Sequence, residues 1–225
     1  MDKVGEYALM VMKKATWYNS WLLSFFDKYI CGDILEVGSG IGNFTVLLKK
    51  YGEATAIDVN REYNNKNKVK GVQRGFGDIE KGDYFFRDKK FDTVVCLNVI
   101  EHVENDEKAF TNIYKLLRKG GKFILLVPAH KLLYGKYDRL LGHFKRYNAG
   151  QLRSSILKSG FTIDKLRYIN WWGAIGWFIF IKLLKRNDFP EKEVGIFDYF
   201  GRILLWPEKL FEFPFGLSVL LVAEK

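Results

Sequence analysis

Hydrophobic and polar residues alternate along this chain in blocks that switch between the helical and the strand repeat. Over residues 1–30 the apolar positions recur at helical spacing, which predicts one or two amphipathic helices that cap the fold. The short apolar runs that follow are typical of buried strands. We predict seven strands, at Asp33–Val37, Ala54–Asp58, Gly71–Gly75, Phe91–Leu97, Lys122–Val127, Phe161–Ile169 and Leu217–Ala223.

Helical segments separate several of these strands. They are predicted at Asn43–Tyr51, at about Asn105–Arg118 and at Gln151–Ser159. Fully apolar strands that alternate with helices are typical of a mainly parallel sheet covered by helices on both faces. The sequence therefore predicts one three-layer α/β domain over 1–225, with its core in 31–170 and 217–225.

The segment 171–216 is far longer than an ordinary connection between two strands. Aromatic residues and neighbouring basic residues are frequent in it: Trp171, Trp172, Trp177, Phe178, Phe180, Lys182, Lys185, Arg186, Phe197, Tyr199, Phe200, Trp206 and Phe211. This composition suits a helical insertion that lies in a membrane interface, and it suits equally well a helical cap or a homodimer contact buried in protein. The longest apolar run, Trp171–Ile181, is too short to cross a bilayer as a helix.

The net charge limits the macromolecules that this chain could bind, and the cysteine content indicates its cellular compartment. The formal net charge of +10 allows contact with nucleic acid or anionic lipid, but no zinc-finger spacing or RNA-recognition signature supports nucleic acid as a partner. Cys31 and Cys96 have no spacing that suggests a metal site, and we expect no metal. We expect both cysteines to be buried reduced thiols, as in a cytoplasmic protein, and residues 1–14 do not have the pattern of a secretory signal.

A glycine-rich turn follows the first predicted strand. Gly38, Gly40 and Gly42 permit positive φ angles and a close approach of a ligand to the backbone, and Glu36 precedes them. Such a turn can be purely structural or can begin a dinucleotide site. The dinucleotide fingerprint, however, needs its third glycine where this chain has Asn43.

Polar residues also follow the next strands, at the edge where parallel sheets bind ligands. Asp58 ends the second strand, where a carboxylate can accept hydrogen bonds from ribose hydroxyls or cap the following helix. Gly77-Asp78-Ile79 follows the third strand, and Asn98-Val99-Ile100-Glu101-His102 follows the fourth. Four segments in this order form a far more specific signal than the glycine turn alone.

Together these four segments resemble the successive motifs of class I S-adenosylmethionine-dependent methyltransferases. The resemblance implies a Rossmann-like fold with an antiparallel last strand, S-adenosyl-L-methionine as cofactor and S-adenosyl-L-homocysteine as product. It implies that the glycine turn holds the methionine end, Asp58 the ribose and Asp78 with Ile79 the adenine. The implied cofactor residues are Glu36, Gly38, Ser39, Gly40, Gly42, Asp58, Val59, Asp78, Ile79, Asn98, Val99 and His102. For His102, a catalytic role and a structural role, either packing beside the site or capping a helix, are equal alternatives.

The acceptor is expected beyond the fifth strand, at residues 128–147. All three histidines border this edge, and His130 and His143 are candidate general bases because an imidazole titrates near neutral pH. Arg146 is a candidate ligand for a phosphate or carboxylate, while Tyr147 and Asp138 could orient the histidines. Alternatively, this is a polar loop held together by its own hydrogen bonds, with Arg146 paired to Asp138.

The loop over 128–147, with Asn170–Gly173 and Gly216–Val219, resembles a methyltransferase subgroup associated with sugar-polymer and glycolipid assembly. The resemblance implies methyl transfer by in-line displacement to a hydroxyl of a sugar-containing or lipid-linked small molecule. Two alternatives remain open. One is methylation of a quinone, an isoprenoid or an amine, and the other is a noncatalytic adenosine-binding partner subunit.

Overall fold

A computed structural model describes residues 3–179, 199 and 201–225. Its strands are β1 (Gly32–Val37), β2 (Gly52–Asp58), β3 (Gln73–Asp78), β4 (Asp83–Tyr84), β5 (Phe91–Leu97), β6 (Leu117–Pro128), β7 (Thr162–Ile169) and β8 (Ser218–Glu224). Its α-helices are α1 (Lys3–Lys14), α2 (Thr16–Leu23), α3 (Thr45–Leu48), α4 (Arg61–Lys66), α5 (Asp106–Leu116), α6 (Lys136–Leu140), α7 (Ala149–Lys158) and α8 (Trp171–Trp177). Short 3-10 helices lie at Asp27–Tyr29, Ile100–His102, Lys131–Leu133 and Trp206–Lys209.

The eight strands form one sheet in the order β4-β3-β2-β1-β5-β6-β8-β7. The neighbours from β3 to β6 pair in parallel, while β8 pairs antiparallel with both β6 and β7. The predicted α/β architecture and the antiparallel last strand are confirmed. The additional strand is β4, which pairs antiparallel with the end of β3. Its two residues are too short to produce a periodic signal in the sequence.

Several predicted elements have different boundaries from the observed ones. The fifth strand begins at Leu117 rather than Lys122, because the helix before it ends at Leu116 rather than at about Arg118. The third strand begins at Gln73 rather than Gly71, because Gly71 has a φ of +72° and forms the turn before the strand. Only Thr45–Leu48 of the helix predicted at Asn43–Tyr51 is α-helical, since Tyr51 already leads into β2. The short helix brings the glycine turn and β2 close together in the chain.

Two hydrophobic clusters lie on opposite faces of the sheet and create the three layers. Successive residues of a strand point to opposite faces, so Val94 joins one cluster and Val95 the other. On the first face α5 and α7 contribute Phe110 and Ile156. On the second face α2 contributes Trp21, so this N-terminal helix is part of the main core.

The segment 171–216 is partly described and is tied to the core by a buried carboxylate. Both oxygens of Glu208 accept backbone hydrogen bonds, from Asn170 N–H at 2.8 Å and from Trp171 N–H at 2.7 Å. Of the residues predicted to shape this insertion, some lie outside the described residues: Phe180, Lys182, Lys185, Arg186, Phe197 and Phe200. Among the helices that are described, none has the length and hydropathy needed to span a bilayer.

The cysteine prediction was half right. Cys96 in β5 is fully buried, as expected for a central strand. Cys31 is exposed, contrary to the prediction, because it precedes β1 at the start of the strand rather than within its buried part.

Candidate active site

The residues predicted to bind a cofactor lie at the carboxyl ends of β1, β2, β3 and β5. Val37 at the end of β1 pairs with Ile57 of β2 on one side and with Cys96 of β5 on the other. The strand order therefore reverses at β1, since β2 and β3 lie on one side of it and β5 and β6 on the other. In open α/β sheets this point of reversal forms a crevice in which ligands bind.

The glycine turn depends on the absence of side chains. Gly38 has a φ of +72°, and a Cβ atom there would lie 2.2 Å from Val99 Cγ2. Gly42 has a φ of +92°, and its Cβ would lie 2.6 Å from Asn67 Oδ1. The backbone conformation and the close neighbours thus both require glycine. Val99, which the motif resemblance assigned to the site, forms one wall of the turn.

Asp58 holds the glycine turn against the end of β2. Its Oδ2 accepts a hydrogen bond from Gly40 N–H and its Oδ1 accepts one from Asn60 N–H, both at 2.8 Å. Burial raises the pKa of Asp58, and these two backbone bonds oppose that rise. Val59, the next residue, is 60% exposed and offers an apolar surface beside the carboxylate.

Glu36 lies beneath the turn rather than on its surface. Its side chain is 5% exposed and accepts a hydrogen bond from the Thr45 hydroxyl, which in turn accepts one from Asn67 Nδ2 at 3.1 Å. Burial raises the pKa of Glu36 to about 8, although the Thr45 bond lowers it. This buried network connects β1 to α3. Sequence reasoning missed Thr45 and Asn67, which have no motif of their own.

The remaining predicted cofactor residues surround the same edge. Asp78 Oδ1 accepts hydrogen bonds from Glu80 N–H and Lys81 N–H, both at 3.0 Å, and thus caps the turn after β3. Ile79 is 3% exposed and its carbonyl accepts a bond from Asn112 Nδ2. Asn98 has a φ of +55° directly after β5, a strained conformation that occurs often at functional sites.

Buried polar atoms without partners show that the turn fits a polar ligand. Ser39 Oγ and Asn43 Oδ1 are buried and form no hydrogen bond within the described parts of the chain. Such atoms are rare unless a ligand or water satisfies them. A hydroxyl and an amide oxygen at the end of the sheet where ligands bind thus suit a small polar ligand.

Helix α1 covers this turn from the solvent side. Asn43 Nδ2 donates a hydrogen bond to the Leu9 carbonyl at 2.9 Å, and a Cβ on Gly40 would lie 3.1 Å from the Leu9 side chain. Lys66 of α4 forms a 2.5 Å ion pair with Glu6 of α1. The amphipathic pattern predicted a cap, but the sequence did not indicate which residues contact the glycine turn.

His130 lies at the end of β6 in a constrained conformation. It has a φ of +61°, its N–H donates to the Tyr147 carbonyl at 2.9 Å, and its ring stacks on Tyr168 with centroids 4.8 Å apart. Its Nε2 atom is buried and forms no hydrogen bond with any described residue. Burial lowers the pKa of His130, the Arg146 charge lowers it further, and the Gly216 backbone opposes both effects.

Asp138 contacts two of the residues predicted on the acceptor side, Arg146 and His143. Its Oδ1 accepts from Arg146 Nε at 2.7 Å and lies 3.1 Å from His143 Nδ1, while its Oδ2 accepts from Gly135 N–H at 2.9 Å. Asp138 is fully buried and Arg146 is 3% exposed. Burial alone would raise the pKa of Asp138, but His143, Arg146 and the Gly135 amide together lower it. Of the alternatives left open, the structure shows Arg146 paired with Asp138.

Tyr147 does not contact the ring of His130 or His143 through its hydroxyl. The hydroxyl lies 3.3 Å from the Ile100 carbonyl and 3.1 Å from Asp106 Oδ2, to which it can donate. Burial, followed by the Asp106 charge, raises its pKa. Tyr147 therefore fixes the loop to the 3-10 helix Ile100–His102.

The rings of His102 and His143 pack edge to face, with centroids 4.6 Å apart. Beside them, Glu101 is fully buried, and burial raises its pKa to about 8 although its own backbone amide and the Arg146 charge lower it. Sequence reasoning noticed Glu101 only as part of a motif and gave it no role. It also predicted that His102 borders the cofactor, and the structure brings its ring to the acceptor-side loop.

A basic pocket of about 340 Å³ opens next to this loop. Its lining residues are Asp106, Lys131, Lys145, Arg146, Tyr147, Gln151, Ser154 and Ser155. It contains three cations and one carboxylate, but Lys145 pairs with Asp106 at 2.8 Å and Arg146 pairs with Asp138 at 2.7 Å, so these two ion pairs offset two of the three positive charges. The serines and the glutamine come from α7, and their ordinary helical pattern gave no sign of this position.

Residues 35–125 match the methyltransferase domain family. The ubiquinone biosynthesis O-methyltransferase of Rickettsia conorii is 36% identical over 101 residues, which are 41% of this chain and 34% of that protein. The structure of Haemonchus contortus phosphoethanolamine N-methyltransferase 2 in complex with S-adenosyl-L-methionine is similar with a TM-score of 0.62. It is 20% identical and covers 92% of this chain and 52% of that chain.

A second similar structure is the complex between the Haloferax volcanii Trm112 methyltransferase activator and a methyltransferase. The similarity to one chain of this complex covers 100% of the present chain and 98% of that chain. The TM-score is 0.66 at 13% identity. These structural likenesses show the fold. This chain spans 5%, 47% and 34% of the length of three curated relatives that it matches. For residues 35–125, the family match bears out the predicted methyltransferase class, and it leaves the acceptor open.

Proposed function

We propose that this chain, whose residues 35–125 match the methyltransferase domain family, transfers a methyl group from S-adenosyl-L-methionine to a hydroxyl of a sugar-containing or lipid-linked small molecule. When bound, S-adenosylmethionine would supply the methyl group of its sulfonium for in-line displacement: the acceptor oxygen bonds to the methyl carbon, the carbon–sulfur bond breaks, and neutral S-adenosylhomocysteine leaves. The observation that carries the proposal is the glycine turn at the reversal point of the sheet, with Ser39 Oγ buried and without a partner among the described residues.

Each cofactor residue has a distinct task in this proposal. The Gly38–Gly42 backbone and Ser39 receive the amino acid end, and Asp58 accepts the ribose hydroxyls with its remaining lone pairs. Val59 provides an apolar surface for the adenine, and Asp78 and Ile79 border its edge. Glu36 acts indirectly, because it is buried below the turn and supports it through Thr45.

His130 is the better of the two proposed bases. Its buried Nε2 has no hydrogen-bond partner in the described residues, and its lowered pKa keeps the imidazole neutral at pH 7, as proton removal from a hydroxyl requires. His143, by contrast, already directs Nδ1 towards Asp138. Holding the acceptor hydroxyl near attack distance would supply most of the acceleration, and the base would remove the proton as the bond to the methyl group forms.

The basic pocket supports an acceptor that carries an anionic group. Lys131 and Arg146 lie on its wall with the hydroxyls of Ser154 and Ser155, a set of donors that suits a phosphate. Lys131, which lines the pocket, directly follows His130 in the sequence. A phosphorylated or lipid-linked sugar would place a hydroxyl and a phosphate on one small molecule, as this arrangement requires.

The cofactor proposal is tested by calorimetric titration with S-adenosylmethionine, S-adenosylhomocysteine and NAD. We expect both sulfur compounds to bind and NAD not to bind. Tight NAD binding without a response to the other two would overturn the proposal.

The acceptor is tested by incubation with methyl-labelled donor and separate lipid, polysaccharide, RNA and protein extracts. Label should appear in the lipid or polysaccharide fraction, and His130→Gln should reduce its rate while binding of S-adenosylhomocysteine stays unchanged. Label found only in RNA would overturn the acceptor proposal.

A second candidate is methylation of a quinone, an isoprenoid or an amine. The relatives support it, because they include a ubiquinone biosynthesis O-methyltransferase and phosphoethanolamine N-methyltransferases. Phosphoethanolamine would also suit the basic pocket through its phosphate. Label in an amine or quinone pool, with none in sugar-containing molecules, would favour this candidate. Cofactor binding without label in any extract would favour the noncatalytic partner subunit.

We also propose that the insertion approaches a membrane surface. Several of its described apolar side chains are exposed, among them Tyr199, Ile203, Trp206, Leu210 and Phe211 at 60% or more, with Arg202 and Lys209 between them. Aromatic and basic residues in this mixture suit an interface with anionic lipid. The protein should sediment with anionic liposomes at low salt and not with neutral ones. A soluble homodimer that stays out of the pellet would contradict this placement.

A further inference from the structure

We propose that Glu101, His102 and His143 bind one divalent transition-metal ion. One ligand atom from each residue lies within 4.8 Å of the others. Glu101 and His102 come from the 3-10 helix after β5, and His143 comes from the loop after α6. This proposal replaces the sequence-based expectation of no metal, which considered only the cysteines and their spacing.

The carboxylate of Glu101 provides the strongest argument. Glu101 is 0% exposed, and neither of its carboxylate oxygens accepts a hydrogen bond from another described residue. A buried carboxylate without donors is costly, and native proteins usually pair such groups or use them to coordinate metals. A cation between Glu101 and the two imidazoles would satisfy both oxygens.

His143 is oriented as metal-binding histidines commonly are. Its Nδ1 lies 3.1 Å from Asp138 Oδ1, and because an ionised carboxylate only accepts hydrogen bonds, Nδ1 carries the proton. Nε2 therefore retains the lone pair that a metal needs. A carboxylate that holds the second nitrogen of a ligating histidine is the usual support of such a site, and Asp138 is itself fixed by Arg146 and the Gly135 amide.

Backbone contacts hold the two segments of the site in place without a metal. Phe144 N–H donates to the Glu101 carbonyl at 2.7 Å, and the Tyr134 hydroxyl donates to the His143 carbonyl at 2.8 Å. The Tyr147 hydroxyl lies 3.3 Å from the Ile100 carbonyl. The three ligands are thus brought together by contacts that do not involve their own ligand atoms.

The donor set indicates the class of ion. Two imidazoles with one carboxylate suit Zn²⁺ and other first-row divalent metals, whereas Mg²⁺ and Ca²⁺ prefer sets made only of oxygen. Three protein ligands leave at least one coordination position open. His102 is exposed, so an ion can reach the site from solvent. The site does not depend on the proposed methyl transfer, since cofactor binding involves the glycine turn.

The experiment is titration of chelator-treated protein with Zn²⁺ in competition with a chromophoric chelator, repeated with Mg²⁺. We expect one Zn²⁺ per chain, with Mg²⁺ at least tenfold weaker. Co²⁺ should bind in place of Zn²⁺ and give visible absorption bands. Glu101→Gln, His102→Gln and His143→Gln should each weaken Zn²⁺ binding by tenfold or more.

His130→Gln is the matched control, because His130 is the remaining histidine and lies outside the three ligands. Its Zn²⁺ affinity should equal that of the unmodified protein. Since His102 is exposed, His102→Gln should fold normally. If Glu101→Gln does not fold, the Zn²⁺ affinity of His102→Gln still tests the proposal. Absence of Zn²⁺ binding at micromolar concentrations, or equal affinity in His102→Gln and the unmodified protein, would overturn the proposal. Binding of S-adenosylhomocysteine is measured in parallel and tests the methyltransferase proposal separately.

Discussion

The two edges of the proposed active site are built from different kinds of contacts. At the cofactor edge, Asp58 holds the turn through two backbone N–H groups, and the glycines allow the turn to pack closely against Val99, Leu9 and Asn67. At the acceptor edge, buried side chains hold one another, with Asp138 between Arg146 and His143. Backbone geometry leaves a clear signature in the sequence, whereas a network of side chains from one loop leaves almost none.

The largest effect is expected where a buried ion pair loses one partner. Asp138→Ala should lower the free energy of unfolding by about 3 to 5 kcal/mol, because it leaves the Arg146 guanidinium buried and unpaired. The measurement is urea unfolding followed by circular dichroism. Asp164→Ala is the control; it removes a 2.6 Å pair with Lys122 near the surface and should cost less than about 1 kcal/mol. Equal losses in the two variants would show that the acceptor loop is not held by its ion pair.

At the cofactor edge, Gly38→Ala should reduce the affinity for S-adenosylhomocysteine by about 100-fold or more, which corresponds to roughly 2.7 kcal/mol. The added Cβ would lie 2.2 Å from Val99 Cγ2 on a backbone with a φ of +72°. The measurement is calorimetric titration.

Two causes could lower the affinity of Gly38→Ala: strain at a positive φ and the clash of the new Cβ with Val99. Gly120→Ala introduces only the first of them. Gly120 has a φ of +76°, but nothing lies within 4 Å of its added Cβ. This variant should lose stability through backbone strain while it binds the ligand normally. If Gly38→Ala also binds normally, the glycine turn is not part of the cofactor site.

A smaller loss is expected for Asp58→Ala, about tenfold in affinity for S-adenosylhomocysteine, because the carboxylate contributes hydrogen bonds to the ligand and to the turn. Asp58→Asn keeps one acceptor oxygen and should lie between Asp58→Ala and the unmodified protein. Asp164→Ala should leave the affinity unchanged. An unchanged affinity in Asp58→Ala would place the ribose elsewhere.

The smallest expected effect is a lowered pKa of one histidine, His130. The pKa of His130 should lie below the value of about 6.5 for a free histidine, because burial and the Arg146 charge both disfavour the imidazolium. Activity that depends on neutral His130 should therefore rise with pH below 6.5 and be flat between pH 7 and 8. Histidine C–H resonances followed by NMR against pH measure this pKa directly, and His130→Gln assigns the signal. A midpoint above 6.5 would contradict the burial of this ring.

Much of the fold could be predicted because its signals are local. All seven predicted strands overlap with observed strands; the third differs because Gly71 forms a turn, and the fifth because β6 already begins at Leu117. The β4 strand could not be predicted, since two residues have no period and pair only because the end of β3 lies beside them.

The acceptor side illustrates what local patterns do not contain. The sequence placed all three histidines near one edge, but it could not pair His143 with His102 or His130 with Tyr168. Tyr147 was expected to orient a histidine, and its hydroxyl instead contacts Ile100 and Asp106. These contacts depend on the path of the loop over the sheet, which no spacing in the loop encodes.

The sequence by itself determined the order of the strands along the chain, the glycine turn and the acids that end β2 and β3, because apolar periodicity and positive φ angles act over a few residues. The tertiary structure decided which distant groups meet. It buried Glu36 beneath the turn, placed Leu9 over Gly40, and joined Glu101 to His143 across 42 residues of chain. Such encounters are set by the packing of whole elements against the sheet, and this packing depends on all the layers at once.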